Sequence, residues 1–233
     1  MKAILTDILV RARGISVQEA EACLSQATLQ YPIGKDQDIH DSKACKRCEH
    51  DSPMQYKECD HVNLKLYSSS ELNIVDYDRY YSELHPDGDK EEQCDLVITD
   101  NQSEDKTLML CDLKCAKEKN LGKRQKKAFE QATETIKEWL HFRSEEVLLN
   151  SFPNCVLLMA WRDPDVVIIP NSPSEALGGF INSDISKQIG LAYCPGPNFH
   201  QFIRMRIKYD DVLNWQNVIA FAKEKQKEKQ KKQ

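Results

Sequence analysis

Hydrophobic and polar positions follow two different periods along this chain. Residues 1 to 13 and 16 to 30 place apolar side chains three and four apart, which predicts two helices. The second has Ser16 followed three residues later by Glu19, the pattern of a capping box, then Ala20, Cys23, Leu24 and Ala27 on one face. Residues 31 to 60, with Pro32, Gly34, Pro53 and several aspartates, read as loop. From residue 61 to 67 the period becomes two, with Val62, Leu64 and Leu66 on one face of a strand. A short element follows over 72 to 84, rich in tyrosine (Tyr77, Tyr80, Tyr81, after Tyr67), and these rings are expected in the core and at its rim. Pro86-Asp87-Gly88-Asp89 is a turn signal.

Two short apolar runs then stand out, Leu96-Val97-Ile98 and Leu108-Met109-Leu110, each bounded by polar turn residues. They predict buried strands joined by a hydrophilic hairpin. A long helix is expected over 117 to 143, interrupted near Gly122, with Phe129, Ala132, Ile136, Trp139 and Leu140 as its apolar stripe. Residues 155 to 161 and 166 to 169 read as further buried strands. Residues 170 to 198, rich in Pro, Asn, Ser and Gly, form an excursion, 200 to 208 alternate as a strand, and 210 to 222 form an amphipathic helix. The order strand, strand, long helix, strand predicts an α/β fold, one domain over residues 1 to 222. Residues 223 to 233 are a Lys-rich tail, expected to prolong the last helix and fray.

The candidate chemistry sits on the hairpin. Asp95 opens its first strand, and Asp112 and Lys114 close the second. Side chains alternate along a strand, so Asp112 and Lys114 project to one face and Leu113 to the other. If the strands are neighbours, Asp95 reaches the same place. Two carboxylates suit a hard cation such as Mg²⁺, and a neighbouring ammonium can orient water or stabilise phosphate charge, the equipment for phosphodiester hydrolysis.

Asp95, followed after a hairpin by Asp112-Leu113-Lys114, resembles the D…(D/E)xK signature of the PD-(D/E)XK nucleases, whose restriction-endonuclease-like fold implies a mixed central sheet flanked by helices, in agreement with the order of elements above. The resemblance spans roughly residues 60 to 170 and departs from the family name at Cys94, where proline is implied. It implies that Asp95 and Asp112 bind Mg²⁺ or Mn²⁺ together with the backbone carbonyl of Leu113, and that Lys114 is the catalytic lysine. Relatives also carry a glutamine or lysine on the following helix, facing the active centre. Gln131 stands at a suitable offset from Lys114, Gln125 lies on the inner stripe with Phe129, and Thr135 replaces the aromatic that accompanies such a glutamine in one branch. Family members often add a metal-binding glutamate from the first core helix; Glu19 and Glu21 are candidates, though a cap and a solvated carboxylate account for them better.

Charge distribution adds to this picture. The chain carries a net −5, yet residues 35 to 114 hold 20 acidic against 10 basic side chains, so acidity gathers around the proposed metal site. Positive charge follows in Lys117, Lys119, Lys123, Arg124, Lys126 and Lys127, a ridge that can track a phosphodiester backbone or can be a solvated helix face. Arg204 and Arg206 share one strand face and could meet phosphates, and a solvated sheet face explains them equally well. No run of 18 apolar residues exists, so no transmembrane helix is expected, and the first residues lack a secretory pattern.

Nine cysteines, an odd number without export features, point to reduced thiols in a cytoplasmic protein. Cys45, Cys48, Cys59 and His61, with His50 as an alternative, are spaced so that they can grip one tetrahedral Zn²⁺, making residues 31 to 61 a candidate zinc-stapled insertion.

Two readings of function remain open on the sequence. The first is a metal-dependent nuclease acting on nucleic acid, DNA favoured, with family resemblance implying defence against foreign DNA or repair and a homodimer. The second is a non-enzymatic, zinc-stapled interaction subunit of a larger complex on a decayed nuclease fold. A thiol redox enzyme using Cys45 and Cys48 is weaker, because that C-x2-C falls in a loop with no helix dipole to lower a thiol pKa.

Overall fold

A computed structural model describes residues 1–31, 33–40, 62–86, 93–100, 106–142, 151–162, 190–193, 201–208 and 211–230. The proposed zinc ligands Cys45, Cys48, Cys59 and His61 and the expected strand over 166 to 169 lie outside the described residues.

The chain opens with α1 (Lys2–Arg13), ended by Gly14 in the left-handed conformation at φ 64°, and α2 (Val17–Ala27). Glycine tolerates that conformation without a Cβ clash, so the α1–α2 turn is tight. Ser16 and Glu19 form the expected reciprocal capping box, which places Glu19 at the surface. Strands β1 (Thr28–Leu29), β2 (Asp36–His40), β3 (Val62–Tyr67) and β4 (Asn73–Asp76) follow, then helix α3 (Tyr77–Leu84). The hairpin β5 (Leu96–Asp100) and β6 (Thr107–Cys115) leads through a short 3₁₀ turn (Glu118–Asn120) into α4 (Leu121–Phe142). Next come β7 (Asn154–Arg162), β8 (Gly190–Tyr193), β9 (Gln201–Lys208), β10 (Val212–Asn214) and α5 (Trp215–Gln230).

Seven strands form a mixed sheet in the order β1-β4-β5-β6-β7-β9-β8. Strands β6, β7 and β9 are parallel neighbours, and the remaining pairs are antiparallel. A parallel β6–β7 pair cannot be joined by a tight turn, and α4 lies in the crossover that joins them. A second sheet runs β10-β3-β2.

Side chains on the central strands are buried and alternate residue by residue between two cores. Val97, Leu108, Leu110 and Leu157 face a core shared with α1, α2, α3 and α4. Leu96, Ile98, Met109, Cys111 and Leu113 face a second core completed by β3, β10 and α5, with Leu64, Leu66, Leu213, Trp215 and Val218. The large sheet is therefore covered on both faces, which explains why its strands read as continuous apolar runs. On the helical side Trp139 of α4 is fully buried and its indole N–H donates to the Tyr77 hydroxyl at 2.7 Å, while the Tyr80 hydroxyl donates to the Leu5 carbonyl at 3.0 Å. The tyrosines of α3 are core residues with satisfied hydroxyls, as expected for buried phenols.

Several expected boundaries change. Residues 36–40, expected as loop, form β2; Ile39 is the strand's one buried apolar residue, and its ladder to β3 is a backbone property that side-chain periodicity does not report. The element expected over 72 to 84 is a strand followed by a helix, divided at Asp76, whose side chain caps α3. The 170–198 excursion contains β8, which pairs with β9. The helix expected over 210 to 222 begins at Trp215, after β10, and extends through Gln230 into the tail. Gly122 lies within α4, and the irregularity expected there falls earlier, at the 3₁₀ turn. No helix among the described residues is long and apolar enough to cross a membrane.

Leu110 is fully buried at the centre of the sheet and faces the helical layer. Leu110→Ala should lower unfolding stability by about 3 kcal/mol, the usual cost of lost burial plus residual cavity. Urea denaturation checks this through a lower midpoint at unchanged slope.

Candidate functional site

The hairpin register assembles the site. Leu96 pairs with Cys111 at the end of the antiparallel ladder, which brings Asp95, the residue just before it, beside Cys111, Asp112 and Leu113. Two further contacts lock this end of the hairpin: the Asp95 N–H donates to the Cys111 carbonyl at 3.0 Å, and the Leu113 N–H donates to Asp95 Oδ2 at 2.5 Å. Alternation puts Asp112 and Lys114 on the face of Leu110, toward the helices, and sends the Leu113 side chain into the opposite core.

Asp112 is 1% exposed and Asp95 is 7% exposed, so both carboxyl groups are withdrawn from bulk water. Burial first, and the neighbouring Asp95 charge second, push the Asp112 carboxyl well above the ordinary carboxylate range; the Lys114 ammonium opposes this without cancelling it. Burial likewise raises the thiols of Cys94 and Cys111, which leaves them protonated and unreactive beside the carboxylates.

Lys114 reaches back along its own strand face, with Nζ 2.5 Å from Asp112 Oδ1, and it also donates to Gln131 Oε1 at 2.9 Å. Gln131 projects from α4 and is held in turn, its Nε2 donating to the Gln93 carbonyl at 2.9 Å. Thr135, one turn further along, accepts from the Cys94 N–H at 3.0 Å and donates to Gln93 Oε1 at 2.8 Å. The segment before Asp95 is thereby pinned to the helix that carries Gln131. Of the two glutamines considered from sequence, Gln131 is the one that meets the lysine.

Periodicity alone did not single out three residues of this neighbourhood. Gln93 and Thr135 form the bracket just described. Asp76, at the end of β4, caps α3 by accepting from the Arg79 N–H at 3.1 Å and pairs with the Arg79 guanidinium at 3.1 Å. The next residue, Tyr77, donates its N–H to the Asp95 carbonyl at 2.8 Å, so β4, β5 and β6 bring Asp76, Asp95 and Asp112 to the same end of the sheet. The signal was present as an aspartate at the edge of each apolar run, legible once these strands are taken as antiparallel neighbours. Glu19 is engaged in its capping box and Glu21 is exposed on α2, so neither joins the site.

Among the described residues, no three His, Cys, Asp or Glu side chains are grouped to hold a metal ion. Asp95 and Asp112 are a pair of acids, and the Oδ2 atom of Asp112 is buried without a hydrogen-bond partner. Such an orphaned acceptor beside a second carboxylate fits a divalent cation that takes few protein oxygens and completes its shell with carbonyl, water and substrate oxygens, as Mg²⁺ does.

The basic ridge divides by helix geometry. Arg124 and Lys127 stand seven and four residues before Gln131 on α4 and so share its face, toward the site. Lys123 and Lys126 fall elsewhere on the wheel; both are exposed, and Lys126 pairs with Glu130 at 3.6 Å. Lys117 and Lys119 are exposed beside the 3₁₀ turn.

No family model matches this chain, and no curated protein or solved structure matches it significantly.

The Asp76 carboxyl is pushed up to about 6, chiefly by burial. A folded-state pKa above the unfolded one means that the stability from its proton is present below about pH 4 and is lost as pH rises through 6. At about 1.4 kcal/mol per pKa unit, that loss is about 2–3 kcal/mol. Asp76→Asn keeps a capping oxygen and carries no charge. Its stability relative to wild type should therefore be near zero at pH 4 and rise to about 2–3 kcal/mol in its favour by pH 7, measured by denaturation at each pH. Parallel curves for the two proteins would refute this account of Asp76.

Proposed function

We propose that this chain is a metal-dependent nuclease of the PD-(D/E)XK type, on a restriction-endonuclease-like variant of the mixed sheet described above, hydrolysing phosphodiester bonds in nucleic acid, with DNA the favoured substrate. The observation that carries the reading is the Lys114 ammonium held between Asp112 and Gln131, directly beside the Asp95–Asp112 pair. An ion pair on an unrelated protein surface has no need of two buried acids, an orphaned carboxylate oxygen and a glutamine bracket. Strongly perturbed groups of this kind gather at functional sites.

Asp95 and Asp112 would hold Mg²⁺ or Mn²⁺, with the Leu113 carbonyl as a further ligand by family resemblance. When bound, such an ion supplies Lewis acidity toward a phosphoryl oxygen and lowers the pKa of a bound water. The remaining work belongs to the chain. Lys114 presents a fixed positive charge where the phosphorane develops negative charge, and the Asp112 and Gln131 contacts stop its four-carbon stem from sampling other positions. Gln131 positions that ammonium, and its own amide is oriented by the Gln93 carbonyl. The Oδ2 atom of Asp112, buried without a hydrogen-bond partner, would be one of the oxygens that hold the cation. Arg124 and Lys127, on the Gln131 face, are placed to meet the phosphates of an incoming strand. A role in defence against foreign DNA, and a homodimeric or partner-bound assembly, rest on the family resemblance.

Cleavage of a plasmid, linear DNA and RNA panel with Mg²⁺, Mn²⁺ or EDTA tests the proposal. Wild type should cut only with a divalent ion, and Lys114→Ala and Asp112→Asn should each slow cutting by about 10²–10³-fold or more. Cutting at the wild-type rate by folded Lys114→Ala protein, or intact substrates in every condition, would overturn the reading, the latter in favour of a non-enzymatic subunit.

A further inference from the structure

Strand β9 carries three cations, Arg204, Arg206 and Lys208, at alternate positions, with Ile203, Met205 and Ile207 between them buried in the opposite core. The three cations therefore lie on the α4 face of the sheet, the face of Asp112 and Lys114. Register makes the relation specific. Asp112 pairs with Met159 and Met159 with Arg206; Lys114 pairs with Trp161 and Trp161 with Lys208. Arg206 and Lys208 thus each stand two strands away from a site residue in the same row, about 10 Å at the spacing of a β-sheet, while Arg204 is level with Leu157 and Leu110. Met159 and Trp161, which lie between the two groups on β7, are buried beneath Leu121 and Ala128, so the N-terminal half of α4 stands between the β9 cations and the site.

Two features distinguish these arginines from a solvated sheet face. Both are only half exposed, and among the described residues no carboxylate pairs with either. Arg204 is steadied by the Phe129 ring, 5.5 Å from its guanidinium carbon to the ring centroid, while its Nε atom is buried without a hydrogen-bond partner. A partly desolvated guanidinium with open donors favours an anion, and phosphate matches its fork of N–H groups. Surface arginines held for solubility are normally hydrated or paired with acids.

We infer that Arg204, Arg206 and Lys208 form a phosphate-anchoring stripe that binds the nucleic-acid backbone at phosphates flanking the scissile one. This rests on the nuclease reading and adds a second contact track to it, on β9, separate from the Arg124 and Lys127 face of α4. A strand held by β9 on one flank of α4 and by the site on the other would be fixed in one direction relative to Asp112 and Lys114. The three side chains bind and position; they do not touch the reacting atoms.

The test uses the full chain and a fluorescently labelled DNA duplex, with its single strand as a second probe. Affinity is followed against salt in EDTA, and cleavage kinetics in Mg²⁺ or Mn²⁺. For Arg206→Gln the slope of log affinity against log salt should shrink by about one, the loss of one phosphate contact. KM should rise several-fold with kcat nearly unchanged, and Arg206→Lys should restore most of both. Lys208→Gln repeats the measurement from the neighbouring row should Arg206→Gln fail to fold. If wild type cuts and binds while these variants keep its salt slope and KM, the stripe is no anchor and the nuclease reading stands. If wild type neither binds nor cuts either probe, both proposals fall together.

Discussion

Two carboxylates facing each other at the buried end of a strand pair cannot both remain charged unless a cation stands beside them. Asp95 and Asp112 are in that position, and among the described residues Lys114 is the cation that pairs with Asp112, at 2.5 Å. That single charge is insufficient, since the Asp112 carboxyl still lies well above the ordinary carboxylate range. Buried ionic clusters are seldom the most stable solution; apolar side chains of similar volume usually pack as well or better. Placing this cluster at one end of a largely apolar sheet therefore opposes stability, and a use for the buried acids is the natural reason for its presence. In the proposed reaction a divalent ion would provide the missing positive charge, and a phosphodiester would be a partner for the Lys114 ammonium.

Much of this was legible in the sequence because it is written in local pattern. The apolar runs of β5, β6 and β7 follow from their length and the polar turns that bound them, the stripe Phe129, Ala132, Ile136 and Trp139 from a period of 3.6, and the capping box at Ser16 from its spacing to Glu19. Asp95, Asp112 and Lys114 were identifiable by offset, and Gln131 by its distance along the helix. What escaped depends on pairing between distant segments. β2 has one buried apolar residue, and β8 and β10 are three to four residues long, so their existence is decided by a neighbour's free backbone groups. Asp76 became visible as part of the site only when β4 was known to lie beside β5. Thr135 was noticed as an absent aromatic; its actual role, bridging Cys94 and Gln93, requires the helix to be docked.

Helix α4 joins stability to the proposed chemistry. Its inner stripe ends in Trp139, fully buried and hydrogen-bonded to Tyr77, and Tyr77 in turn ties α3 to Asp95 through its backbone N–H. On the adjacent face Gln131 and Thr135 reach the lysine and the segment before Asp95. The helix cannot slide along the sheet without breaking one set of contacts or the other. Interdigitated side chains of this kind fix axial position to a fraction of an ångström, which is the tolerance that a lysine bridging an acid and an amide demands.

The deepest constraint is parity. On β5, β6, β7 and β9, every residue invoked for chemistry or for anchoring falls on the α4 face, because the strands are in register and the side-chain period is two. A slip of β6 by one residue against β5 would send Asp112 and Lys114 into the core now occupied by Met109, Cys111 and Leu113, and would bring those apolar groups out to face Gln131. Two ammonium and carboxylate groups buried without partners cost far more than any gain in local pairing. The apolar face of the hairpin thus enforces the register, and the register in turn brings Asp95, Asp112 and Lys114 together.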